Sequence, residues 1–182
     1  RGALRDLLAL AQTLARPVRN LNLGGGFRGE TVADILRLCR DMRAATPADI
    51  ALMLEPGAWL TASGGHAMGR ILSRQIRADL DATVITLDLS RECHLRWCAP
   101  QLVDWQGPAP ATRRVLFFGP TCYEADFLGA FEWPGALASE ASQAAPGPSG
   151  SVLFSGVSGY AAAFNTGFNG IPAAQVFTYG NG

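Results

Sequence analysis

The sequence predicts a piece of an α/β unit followed by a β domain, and three observations carry that reading. Two stretches of helical period alternate with two short apolar runs over residues 4–54. No long helical period recurs beyond Ser73. The later apolar runs are of strand length and are punctuated by Pro and Gly.

Leu4, Leu7, Leu8, Ala11 and Leu14 recur on one stripe of an amphipathic helix, which Pro17 stops. Residues 18–23 form a short strand candidate that runs into Gly24, Gly25 and Gly26. Thr31 is expected to cap a second helix, with Asp34 completing a shorter variant of the capping box. Its buried stripe is expected at Val32, Ile35, Leu36, Cys39 and Met42, and Thr46-Pro47 ends it. Residues 50–54 (IALML) are continuously apolar, as a strand covered on both faces must be. Helix, strand, helix, strand with short links indicates parallel α/β packing. A third short helix is expected over residues 66–72. Strand candidates follow at 84–89, 115–118, 151–154, 160–164 and 176–179, and residues 134–151 read as a mobile excursion rich in Ala, Ser, Pro and Gly. The boundary falls within 65–80, giving units of 1–72 and 73–182. Two parallel strands neither close a barrel nor shield their own edges, so the α/β part is expected to be completed from outside this sequence. The start at Arg1, already helical and without an initiator Met, reads as the middle of a longer chain.

Composition narrows the function classes. Of the 182 residues 48% are hydrophobic and 16% charged, which excludes a disordered chain or a solvated coiled coil. Fifteen cations balance fifteen anions, so no net field draws the chain to nucleic acid or an anionic membrane. All fifteen cations are arginine, so no step that needs a lysine amine can be completed by this sequence. Cys39, Cys93, Cys98 and Cys122 are too sparse for a disulfide framework, which makes a reducing cytoplasm the expected location. No run approaches the roughly 20 apolar residues of a membrane span.

Four short patterns bear on chemistry, and each has two readings. Gly24-Gly25-Gly26 after a strand lets backbone N–H groups approach an anion, or is a plain strand-end turn. Leu54-Glu55-Pro56-Gly57 puts a carboxylate at a strand end, where α/β barrels build their sites, or on an exposed turn. Gly119-Pro120-Thr121-Cys122 bends the chain after an apolar run. Its thiol is then a loop proton donor or nucleophile, or a small buried hydrophobe. Tyr160 follows Ser158-Gly159 and precedes Phe168-Asn169-Gly170; its hydroxyl is a phosphate donor or its ring a core aromatic.

LNLGGGF, LEPG, GPTC and the spacing from Tyr160 to FNG occur in the order found in the ornithine/diaminopimelate/arginine decarboxylases, and over residues 4–172 the chain resembles the back half of that family. The resemblance implies the last βα units of a pyridoxal-phosphate-binding (β/α)8 barrel of the alanine-racemase type, followed by a β-sandwich or β-barrel domain. It implies pyridoxal 5'-phosphate as cofactor and an amino-acid substrate. It also implies a homodimer with shared active sites, and a Schiff-base lysine in the front half that this sequence lacks. Gly24, Gly25 and Gly26 would hold the phosphate, Gly57 would let the loop approach it, and Tyr160 would donate its hydroxyl to it. Glu55 would pair with the pyridinium nitrogen. Cys122 would protonate the substrate carbon in a neighbouring subunit's site.

Departures from the family pattern touch the ends of this scheme. Ala58 stands where an Arg often clamps the phosphate. Tyr123 follows Cys122 where an acid reads the distal end of the substrate, leaving Glu124 and Asp126 as the nearest acids. That Cys-x-x-x-Asp pattern resembles the carboxynorspermidine branch. A non-catalytic, decarboxylase-like binding or regulatory homologue is the alternative reading. A cysteine hydrolase pairing Cys122 with His94 or His66, and a zinc site from Cys93, His94, Cys98 and Cys122, are weaker ones. Trp97, Trp105, Phe131 and Trp133 read as core or interface aromatics.

Overall fold

The computed structural model describes residues 2–27, 31–62, 64–136 and 150–180. Contacts divide the chain between Leu60 and Thr61, ahead of the expected boundary at 72/73.

In the first unit, α1 (Gly2–Thr13), β1 (Asn20–Asn22), α2 (Val32–Ala44) and β2 (Ala51–Met53) alternate, and α3 (Gly57–Thr61) begins. β1 and β2 pair in parallel with Leu21 opposite Leu52. The cap of α2 is as expected: Asp34 N–H donates to the Thr31 hydroxyl, and Thr31 N–H donates back to the Asp34 carboxylate. At the other end Arg43 supplies more than the break at Pro47 does. Its guanidinium donates to the carbonyls of Thr46 and Ile50 at 2.9 and 2.7 Å, which ties the end of the helix to the loop beyond it and fixes the entry into β2. The expected buried stripe of α2 is a correction. No residue of α2 is buried, and Val32 and Leu36 are 61% and 56% exposed. A pair of three-residue strands is too narrow a surface to cover it.

The second unit is β-rich. β3 (Gly65–Arg77), β4 (Ala82–Leu87), β5 (Gln101–Gln106), β6 (Arg114–Phe118), β7 (Phe127–Glu132) and β8 (Ser151–Val157) form one mixed sheet in the order β5-β8-β3-β4-β6-β7. β3 changes partner along its length: residues 65–70 pair with β8 and residues 71–77 with β4. At the changeover the Arg70 N–H and Nε both donate to the Asp88 carboxylate, and Asp88 N–H donates to the Arg70 carbonyl. The sheet curls around its core. Phe117 of β6 and Phe154 of β8 lie three strand spacings apart along the sheet, about 14 Å if it were flat. Their ring centroids are 5.3 Å apart. Ile85, Leu87, Val115 and Val152 fill the same interior.

Three expected elements differ. Residues 66–72 are strand, not helix: Gly65, Ala67, Gly69 and Ile71 alternate inward with His66, Met68, Arg70 and Leu72 outward. Residues 160–164 hold the helical turn α4 (Tyr160–Ala163) instead of a strand, and residues 176–179 have no regular structure. β5 and β7 were not expected. Residues 137–149, most of the expected excursion, lie outside the described residues. Among the described residues no helix is long and apolar enough to cross a membrane.

Candidate functional site

In the first unit both parallel strands deliver their C-terminal ends to one place. β1 runs into Gly24-Gly25-Gly26 and β2 into Glu55-Pro56-Gly57. The ladder continues past the strands: Leu23 N–H donates to the Met53 carbonyl and Glu55 N–H to the Gly24 carbonyl, each at 2.9 Å. Gly24 and Gly26, at φ of 69° and 88°, take the left-handed turn that other residues resist. Gly25 is needed for closeness, because a Cβ there would overlap the Glu55 carbonyl oxygen.

The two turns are also joined by a side chain. Asn22 accepts from Gly24 N–H at 2.8 Å through Oδ1 and donates from Nδ2 to Glu55 Oε1 at 2.6 Å. These two bonds fix the amide's orientation and aim one carboxylate oxygen at the glycine turn. Asn22 lies within the LNLGGGF pattern, but no role was expected for it. Its only sequence signal is an amide beside a glycine turn. The N–H groups of Gly25, Gly26 and Phe27 have no acceptor among the described residues, and no atom lies within 4 Å of where a Cβ would stand at Gly24 or Gly26. The result, among the described residues, is three unused N–H groups on a turn beside a carboxylate. Gly57 N–H donates to the Glu55 carbonyl at 2.8 Å and opens α3, with Ala58 next along it.

In the second unit Cys122, Tyr123 and Glu124 are exposed on the loop between β6 and β7, as the Gly119-Pro120 bend requires. Asn169 Nδ2 lies 4.0 Å from Cys122 Sγ. The substrate role expected for Asp126 is a correction. Its side chain is 1% exposed, and both oxygens accept hydrogen bonds from Ser90, Arg91 and Thr121. A carboxylate this buried is held by those donors rather than offered to a ligand. Ser90 is the residue that sequence reasoning missed. Tyr160 opens α4, with its ring edge-on to Trp97 at 5.5 Å and Phe164 against the same indole at 4.6 Å.

The readings that need a histidine lose their ligand or base at His94. Its Nδ1 accepts from Ser90 N–H at 2.9 Å, so Nε2 carries the proton donated to the Pro172 carbonyl at 3.0 Å. Both ring nitrogens are engaged by backbone. Among the described residues no group of three metal-ligating side chains gathers.

The fold is similar to about half of several solved amino-acid decarboxylases. It is similar to the arginine decarboxylase of Paramecium bursaria Chlorella virus (TM-score 0.62, 15% identity, 94% of this chain and 47% of that one). It is also similar to the lysine/ornithine decarboxylase of Vibrio vulnificus solved with cadaverine (TM-score 0.61, 18% identity, 100% of this chain and 49% of that one). A third similar structure is an SrLDC mutant in complex with PLP (TM-score 0.60, 20% identity, 95% of this chain and 46% of that one). The chain thus spans about half the length of the solved structures it matches. No family model and no curated protein matches it.

Proposed function

We propose that this chain forms the phosphate- and ring-nitrogen-binding part of a pyridoxal-phosphate-dependent amino-acid decarboxylase whose lysine comes from outside this sequence. One observation carries the reading: a single amide, Asn22, ties the Glu55 carboxylate to the glycine turn. The residues fit the cofactor, since a phosphate calls for convergent backbone donors with no Cβ in the way. Gly25 and Gly26 offer free N–H groups of this kind, whereas the phosphate role expected for the Gly24 N–H is a correction, since that group already donates to Asn22 Oδ1.

When bound, pyridoxal phosphate supplies a protonated ring that accepts the electron pair left by departing CO2. The N–H groups of Gly25 and Gly26 hold its phosphate, and Gly57 keeps the chain close to it. The resemblance alone would have Tyr160 as a further hydroxyl donor. Glu55 keeps the proton on the ring nitrogen, and the Asn22 amide holds that carboxylate in place. Cys122, an exposed thiol, returns a proton to the substrate carbon. Tyr123 and Glu124 meet the far end of a diamino-acid or related substrate. The complete enzyme is a cytoplasmic homodimer of amino-acid or polyamine metabolism that shares its sites between subunits.

The test is CO2 release from ornithine, lysine, arginine, diaminopimelate and carboxynorspermidine by the complete natural protein, with and without added pyridoxal phosphate. Cofactor-dependent release is expected from one of them, falling about 100-fold or more in Glu55→Ala. Cofactor binding without release from any would favour the non-catalytic homologue, a reading supported by Ala58, which offers the phosphate no charge. No cofactor binding at all would remove both.

A further inference from the structure

We infer that Asp126 is a positioning residue for Cys122, acting through a latch that it forms with Ser90 and Thr121. The Cys122 loop is closed by Asp126 at both levels. In the backbone, Gly119 N–H donates to the Asp126 carbonyl at 2.7 Å, and Asp126 N–H donates to the Tyr123 carbonyl at 2.9 Å. In the side chain, Oδ2 accepts from Thr121 N–H and Oγ1 at 3.2 and 2.7 Å, Oδ1 accepts from Arg91 N–H at 2.6 Å, and the Ser90 hydroxyl lies 3.0 Å from both oxygens. Hydrogen bonds to an ionised acceptor are the strong kind, and these join the Cys122 loop to the turn that follows β4.

That turn also holds the other neighbour of the thiol. Ser90 Oγ accepts from Glu92 and Cys93 N–H, which makes the turn rigid. From it, the Cys93 carbonyl accepts from Thr166 N–H at 3.0 Å, Cys93 Sγ donates to the Phe168 carbonyl at 3.6 Å, and His94 donates to the Pro172 carbonyl. Asn169 therefore hangs from the same turn as Cys122, and the 4.0 Å approach of Asn169 Nδ2 to Cys122 Sγ is the product of two fastenings to one base. Asp126 makes one of them. Both of its oxygens face a backbone N–H, so an amide in its place would set one NH2 against a donor.

The geometry belongs to the second unit alone, and only its catalytic consequence rests on the decarboxylase reading. The experiment follows alkylation of each cysteine by iodoacetamide in the complete protein, as wild type, Thr121→Val, Thr121→Ser and Ser90→Ala. Buried Cys93 and Cys98 report general opening. The expected result is a change of about fivefold in the Cys122 rate in Thr121→Val and Ser90→Ala, the size of effect one ordinary hydrogen bond carries, because the thiol is already exposed and what the latch sets is its position beside Asn169. Cys93 and Cys98 stay protected, and Thr121→Ser restores the wild-type rate. In the cofactor-loaded enzyme the same two variants lower kcat with KM unchanged; an enzyme without decarboxylase activity would sink that reading and leave the alkylation result to decide the latch. An unchanged Cys122 rate in both variants, or a parallel rise at all three cysteines in both, overturns the inference.

Discussion

A side chain at Gly25 would stand on the backbone carbonyl oxygen of Glu55, so the two turns lie side by side only because that position has none. The hydrogen bond from Glu55 N–H to the Gly24 carbonyl, at 2.9 Å, draws them into this contact. Gly25→Ala must push the turns apart. It is expected to cost about 1–3 kcal/mol, the usual range for forcing a methyl into packed structure, and to weaken cofactor binding. Thermal unfolding and a pyridoxal-phosphate titration of the complete protein measure the two effects separately.

Asn22 separates a packing role from an electrostatic one. Asn22→Ala removes two exposed hydrogen bonds and is expected to cost about 1 kcal/mol. Asn22→Asp keeps the shape and the bond from Gly24 N–H but sets a second carboxylate against Glu55 Oε1, so cofactor affinity is expected to fall further than in Asn22→Ala. The ranking of the two dissociation constants is the check.

Gly119→Ala tests the latch from its other side. A Cβ at Gly119 would occupy the space of the Asp126 carboxylate. The variant is expected to lose about 1–3 kcal/mol in denaturant unfolding.

The start of α2 gives a pH dependence. The Asp34 carboxyl is held below the usual carboxylate range, first by the Thr31 hydroxyl, then by the Thr31 N–H, with Arg37 adding to both. Its folded value lies below its unfolded one, so its stabilisation is complete at neutral pH and fades as acid takes the pH down through the folded value. Helicity followed by far-ultraviolet circular dichroism is expected to fall in that acid range, less steeply in Asp34→Asn. Thr31→Ala, which removes the cap at any pH, is expected to cost about 1 kcal/mol.

The capping box and the approach of the glycine turn to Glu55 were legible because each depends on residues close in sequence or at matching strand ends. β3 was not. Its inward positions are Gly65, Ala67 and Gly69, too small to display an alternating pattern, and they are small because the side chains of Leu87 and Leu89 take up the room at Gly69. β7 was hidden by Gly129 at its centre, which the Phe131 ring covers, a compensation visible only across the fold. The turn at Tyr160 misread as strand because residues 160–164 are an apolar run of strand length preceded by Gly159. Tyr160 and Phe164 are four residues apart, the helical spacing that puts both on Trp97. Asp126 was assigned to substrate because it is one of the two acids nearest Cys122 and completes a Cys-x-x-x-Asp pattern. Its donors Ser90 and Arg91 lie 36 and 35 residues away, where no local pattern reaches.

A structure of the complete protein with pyridoxal phosphate bound tests the central claim most directly. The expected result is phosphate oxygens on the N–H groups of Gly25 and Gly26, with the ring nitrogen against the Glu55 carboxylate that Asn22 holds. A cofactor bound away from the glycine turn, or one whose ring nitrogen meets some other group, would contradict it.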